Sequence, residues 1–242
     1  MITNMPRLSL MGALLLEVGL LPVSLSAHER SPIADQIASA YGVDAWGQVE
    51  ALRFTFHVDP PKLSRSWVWE PKADRITYDG PDKDGKPVTI TYSRSHLESE
   101  SAFVKEMVDP AFINDQYALM LPFHLAWDTA ITVQEAATQK LPLGKGSARK
   151  VVVKYPSGVG YTPGDTWDLF LADTGTIQQI VLHHGGSAKP GLAPVTWAGN
   201  KKAGTLLFST DKRGTADGQP IHIFYTNVAV KQVGSSTWVV AK

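Results

Sequence analysis

Glu50-Ala51-Leu52-Arg53-Phe54-Thr55-Phe56-His57-Val58 decides the fold class. From Leu52 every second residue is apolar, with Arg53, Thr55 and His57 between them, which is the period of a β-strand with one dry face and one wet face. Trp67 and Trp69 repeat the alternation before Pro71. Arg75 to Tyr78 and Val88 to Tyr92 read as further short strands, set apart by turn residues such as Asp79-Gly80 and Asp84-Gly85. None of the gaps is long enough for a parallel crossover, so the strands form an antiparallel meander.

Working outward, Ser31-Pro32 is a helix start, and Ile33, Ile37 and Tyr41 recur every four residues before Gly42. This predicts one short amphipathic helix, Pro32 to Tyr41. In the middle of the chain the period changes again. Phe103, Val104, Met107 and Val108 have helical spacing, and Asp109-Pro110 opens a second helical run. The apolar stripe of that run is Phe112, Ile113, Tyr117, Met120 and Leu121, and Pro122 is expected to end it. Two short helices are thus expected between two β blocks.

Strands return after residue 130. Val151, Val153 and Tyr155 alternate; Trp167, Leu169 and Leu171 lead into the turn Asp173-Thr174-Gly175; and Ile177 to His184 returns as the second arm of a hairpin. Thr205 to Thr210 and Ile221 to Val230 follow, with an edge strand around Trp238. The expected total is nine or ten strands without a fixed-period repeat. The fold class is α+β: a strongly curved antiparallel sheet, an incomplete barrel, with an N-terminal helix and a helical insertion covering its concave face.

Residues 1–27 have the layout of a secretory signal peptide: Arg7, the apolar run Leu8 to Leu21, then Ser24, Ser26 and Ala27. Glu17 inside that run and its limited length favour a removable signal over a permanent anchor. About 215 residues follow, enough for a single domain over 28–242. The expected location is periplasmic or secreted, without a stable membrane anchor. The absence of cysteine excludes disulfides, thiol catalysis and a lipidated cysteine. Lys plus Arg equals Asp plus Glu at 23 each, so the basic surplus of a nucleic-acid-binding protein is missing.

No nucleophile elbow, zinc-binding H-E-x-x-H, P-loop or dinucleotide fingerprint occurs, and no cofactor is expected. His183 and His184 are adjacent, so on a strand they point to opposite faces and cannot share an ion without a bulge. Asp165 and Asp168 flank Trp167 beside the turn Pro163-Gly164, and turn formation and strand solvation account for them. No catalytic or metal-binding residue is assigned. The aromatic residues are more informative. Phe54, Phe56, Trp67 and Trp69 recur at period two on neighbouring strands, and Tyr117, Phe123 and Trp127 come from the helical insertion and its exit. These seven line either an ordinary core or a cavity that binds an apolar ligand.

The run Phe112-Ile113-Asn114-Asp115-Gln116-Tyr117, continued by Leu121-Pro122-Phe123-His124-Leu125-Ala126-Trp127-Asp128, resembles secreted bacterial proteins of unknown function. Those proteins are similar to the periplasmic lipoprotein carriers and outer-membrane receptors of the LolA/LolB type. Tyr161-Thr162-Pro163-Gly164-Asp165 with Asp168-Leu169 carries the same resemblance. It implies an open, curved barrel covered by helices, with an apolar cavity for acyl chains. The carriers bear an Arg-Pro pair on an early strand that helps hold the lid, whereas this chain reads Trp69-Glu70-Pro71 there.

Together these readings predict a non-enzymatic, monomeric binding protein for a lipid or acyl chain, with an envelope protein as a further partner. The alternatives are an envelope interaction module with a filled core, and a hydrolase using His222 with Asp168 or His183.

Overall fold

The computed structural model describes residues 31–158, 163–185 and 191–242. The predicted signal peptide and the Tyr161-Thr162 pair of the second resembling run lie outside them. The elements are α1 (Pro32–Ala40), β1 (Val49–Asp59), β2 (Leu63–Glu70), β3 (Arg75–Pro81) and β4 (Pro87–Tyr92), then a π-turn (Val104–Val108) running into α2 (Asp109–Trp127). β5 (Thr132–Lys140), β6 (Ser147–Lys154), β7 (Thr166–Leu171) and β8 (Ile177–His183) follow. The chain closes with β9 (Leu192–Thr196), β10 (Ala198–Ala203), β11 (Leu206–Ala216), β12 (Gln219–Gln232) and β13 (Trp238–Val240).

The thirteen strands among the described residues belong to one antiparallel sheet, with the order β4-β3-β2-β1-β12-β11-β9-β8-β7-β6-β5; β10 pairs with β11 and β13 with β12 off this path. The sheet is curved and open, the α+β arrangement expected. Its curvature has a local cause. Between Arg53↔Ala229 and Thr55↔Thr226, β12 carries an extra residue where Asn227 adopts φ 55°, and further register shifts interrupt β5/β6 and β7/β8. Each such bulge bends its strand and increases local twist. Among the described residues the strand total exceeds the nine or ten expected because β5, β9 and β10 were missed; Thr132–Lys140 buries none of its side chains fully, so its pattern leaves no dry face to read. Leu192–Thr196 contains Pro194, and Ala198–Ala203 is largely exposed and polar, so neither shows the alternation of a half-buried strand.

The helical insertion also differs from expectation. The π-turn and α2 are continuous, and Pro122 lies inside the helix. Leu119 to Leu125 are all buried, including residues on every side of the helix axis. A helix apolar all round is one enclosed by other structure, and α2 accordingly lies within the concavity of the sheet instead of resting one stripe on it. Burial of this whole segment offsets the ~3 kcal/mol that an interior proline costs a helix. α1 packs beside α2, and its buried face is Ile33, Ala34, Ile37 and Ala38. Tyr41 then fixes the chain to the sheet. Its carbonyl accepts from Leu207 N at 3.0 Å and its hydroxyl from Ile177 N at 3.1 Å.

Candidate functional site: the aromatic interior between sheet and helix

Of the seven predicted aromatics, Phe54, Phe56, Trp67 and Trp69 lie on one face of β1 and β2, Phe123 and Trp127 meet each other at 5.6 Å near the end of α2, and Tyr117 turns instead to Tyr155 and Trp167 on the β6–β7 side. In register, Phe54 faces Trp67, Leu52 faces Trp69, and Phe56 faces Arg65. Phe54, Phe56, Trp67, Tyr117 and Phe123 are buried, and Trp69 and Trp127 half-buried. Phe112 on α2 meets Trp67 edge-on at 5.4 Å and Trp69 at 5.8 Å between ring centroids. Tyr225 on β12 extends the wall to Phe54 and Phe56, at 6.0 and 5.6 Å.

At one end this wall reaches solvent. Trp46, in a 3-10 turn after α1, lies 5.5 Å from Trp69, 5.1 Å from Trp127 and 5.7 Å from Phe123. The three tryptophans are all half-buried, so they form an aromatic rim continuous with the interior. The sequence reading missed Trp46, whose segment has no strand or helix periodicity to place it.

Polar ties cross this apolar interface. Asp115 on α2, with a wholly buried side chain, accepts from Arg65 Nε and Nη2 at 2.7 and 2.6 Å and from Trp67 Nε1 at 3.0 Å. Burial pushes its carboxyl above the usual carboxylate range, against the opposing pull of Arg65, Asn114 and Trp67. Tyr225 donates its hydroxyl to the Asp115 carbonyl at 2.8 Å. Near the start of α2, Asp109 accepts from Tyr92 and from Arg94 Nε, both at 3.0 Å. At its end, Tyr117 is hydrogen-bonded to Asp128 and to Tyr155 of the segment after β6, and stacks on His124 at 3.8 Å. His124 in turn meets Asp128 at 3.2 Å and Gln116 at 3.1 Å. Burial raises both tyrosine pKa values. Arg65, on β2 ahead of Trp69 and Glu70, therefore bridges sheet and helix. A sequence scan could register Arg65 and Asp115 only as charges at polar positions, because nothing local joins residues fifty apart.

The residues of the hydrolase alternative separate. His183 Nε2 does meet Asp168 at 3.0 Å, with Lys150 Nζ on the same carboxylate oxygen at 2.8 Å. His222 pairs instead with Asp211 at 3.0 Å, and His184 with Asp165 at 3.4 Å. His57, Phe224 and His222 stack in a row, with centroids at 4.5 and 4.7 Å. Asp168, expected to be solvated, is buried by these partners.

No family model and no curated protein matches this chain. Among solved structures it is similar to the crystal structure of a DUF1329 family protein from Desulfovibrio piger ATCC 29098, with 11% identity and a TM-score of 0.45 over 85% of this chain and 95% of that one.

Proposed function

We propose that the protein is a periplasmic, non-enzymatic binding protein of the LolA/LolB-like kind that holds a lipid or other apolar ligand between the concave sheet and α2. The observation that carries this reading is the continuity of the aromatic wall from the buried interior to the half-exposed Trp46–Trp69–Trp127 rim. An acyl chain entering at the rim would replace contacts of α2 with contacts of its own. Burying a chain of about sixteen carbons contributes ~0.8 kcal/mol per methylene, about 12 kcal/mol before the displaced contacts of α2 are subtracted. The signal-like N-terminal sequence supports export.

Native mass spectrometry with solvent extraction, on protein purified from the periplasm without detergent, tests the reading. A co-purifying lipid, lost in Trp69→Asp, is the expected result. Trp69 suits the substitution because it is only half-buried, whereas Phe56→Asp would place a charge in the core.

A second reading is favoured by one observation: Phe54, Trp67, Phe112 and Phe123 already pack against other rings. In it the interior is a permanently filled core and the rim is a contact surface for an envelope protein. A clean apo mass, with a partner crosslinked through a photoreactive residue at position 127, would establish that reading over the first.

A further inference from the structure

We propose that Lys212 and Trp197 form an internal acceptor site for the anionic head group of an amphiphile, a long-chain carboxylate. This inference rests on the binding reading above and names the class of ligand.

Lys212 on β11 carries an ionisable amine although it is only 1% exposed. Its Nζ donates to the Ser209 carbonyl at 2.7 Å and lies 4.1 Å from the Trp197 ring centroid and 4.9 Å from that of Tyr225. Among the described residues no carboxylate pairs with it. Asp211, its chain neighbour, is engaged by Arg213 and by His222, each at 3.0 Å. The other cation on the aromatic wall, Arg65, is neutralised by Asp115. An unpaired charge in such a place is costly and calls for a partner.

The chemistry of that partner follows from what is left over. An ammonium has three N–H donors, of which one is used here. The Trp197 indole Nε1, also buried, makes no well-aligned hydrogen bond among the described residues, and the Tyr41 hydroxyl is its near neighbour. Every unmet group is a donor, so the complement is an acceptor carrying negative charge, as a carboxylate does. Position selects an amphiphile over a small free anion. The Tyr225 ring that flanks Lys212 also touches Phe54 and Phe56, so a chain attached to a head group at Lys212 begins against the aromatic wall. Burial lowers the Lys212 pKa from 10.5 to about 7, and a bound carboxylate would restore its charge.

The test is a titration of the full mature protein with oleate, oleyl alcohol and acetate, repeated with Lys212→Met, which keeps an unbranched side chain one atom shorter and removes its charge. Wild type is expected to bind oleate at least tenfold more tightly than oleyl alcohol and to bind acetate far more weakly. Lys212→Met is expected to bind the two long-chain ligands equally. An acid preference that survives in Lys212→Met, or none in wild type, overturns the head-group site while leaving the apolar-ligand reading intact. Binding of acetate as tight as that of oleate overturns the amphiphile. Binding of neither long-chain ligand overturns both readings. Should the variant fail to fold, oleate labelled with carbon-13 at the carboxyl decides in wild type alone. The bound carboxylate should titrate below its value in free solution, and an unshifted or raised titration refutes the site.

Discussion

Arg65→Met removes the guanidinium that holds α2 to β2 and leaves Asp115 as an uncompensated buried carboxylate. The Arg65 side chain is 17% exposed and that of Asp115 is 0% exposed. Breaking such a pair costs about 3–5 kcal/mol. The lower end applies, because Trp67 Nε1 and Asn114 Nδ2, both at 3.0 Å, still donate to the carboxylate. For a chain of this size about 3 kcal/mol lowers Tm by ~6–12 °C. The pH dependence gives a sharper criterion. The folded Asp115 carboxyl titrates above its unfolded value, so the folded state binds this proton more readily, and the group's contribution to stability falls as pH rises through that window. Without Arg65 the upward displacement is larger. The penalty of the variant is therefore greatest near neutral pH and shrinks on acidification, when Asp115 becomes neutral. In Arg65→Met/Asp115→Asn the charge is gone while the amide oxygen still accepts from Trp67, so the double variant is more stable than the single by about 1–2 kcal/mol. Thermal melts of the three proteins at about pH 5 and pH 7.5 measure this. A single variant as stable as wild type at neutral pH, or a penalty that grows with acid, refutes the assignment of Asp115 as a charge held by Arg65.

Three further outcomes are expected. Tyr155→Phe removes one hydroxyl from the Tyr117–Asp128 tie and should cost about 1 kcal/mol in chemical denaturation, with a loss above about 3 kcal/mol contradicting a simple hydrogen-bond role. Gly42→Ala should cost about 2 kcal/mol or more, because Gly42 has φ 83° and an added Cβ would stand 2.4 Å from the Thr205 carbonyl oxygen; a neutral effect on Tm would show that this connection yields. Lys212→Met should raise Tm more at about pH 6 than at about pH 10. The folded Lys212 pKa is about 7 against 10.5 unfolded, so wild-type stability is lowest below that window and rises through it as the buried amine loses its charge. An advantage that grows toward alkaline pH would contradict this.

The strands at residues 49–59 and 63–70 were legible because half-burial leaves a period-two record in the sequence, and α1 because its cap, proline and spacing agree. The shared face of Phe54, Phe56, Trp67 and Trp69 was legible, since antiparallel pairing places alternate residues of neighbouring strands side by side. Pro122 misled, because a proline inside a helix is a local signal that tertiary burial of Leu119 to Leu125 overrides. Trp46 carried no periodic signal and entered the rim through the path of the chain after Gly42.

The α+β class, the antiparallel connectivity and the aromatic character of the interior were all readable along the chain, because they depend on patterns within a few residues. The path of α2 through the concavity, the meeting of Arg65 with Asp115, and the burial of Lys212 between Trp197 and Tyr225 with no carboxylate partner among the described residues came from the three-dimensional fold. The physical reason is that charge pairing and desolvation depend on which distant segments are brought together, and along the chain a buried lysine looks the same as a solvated one.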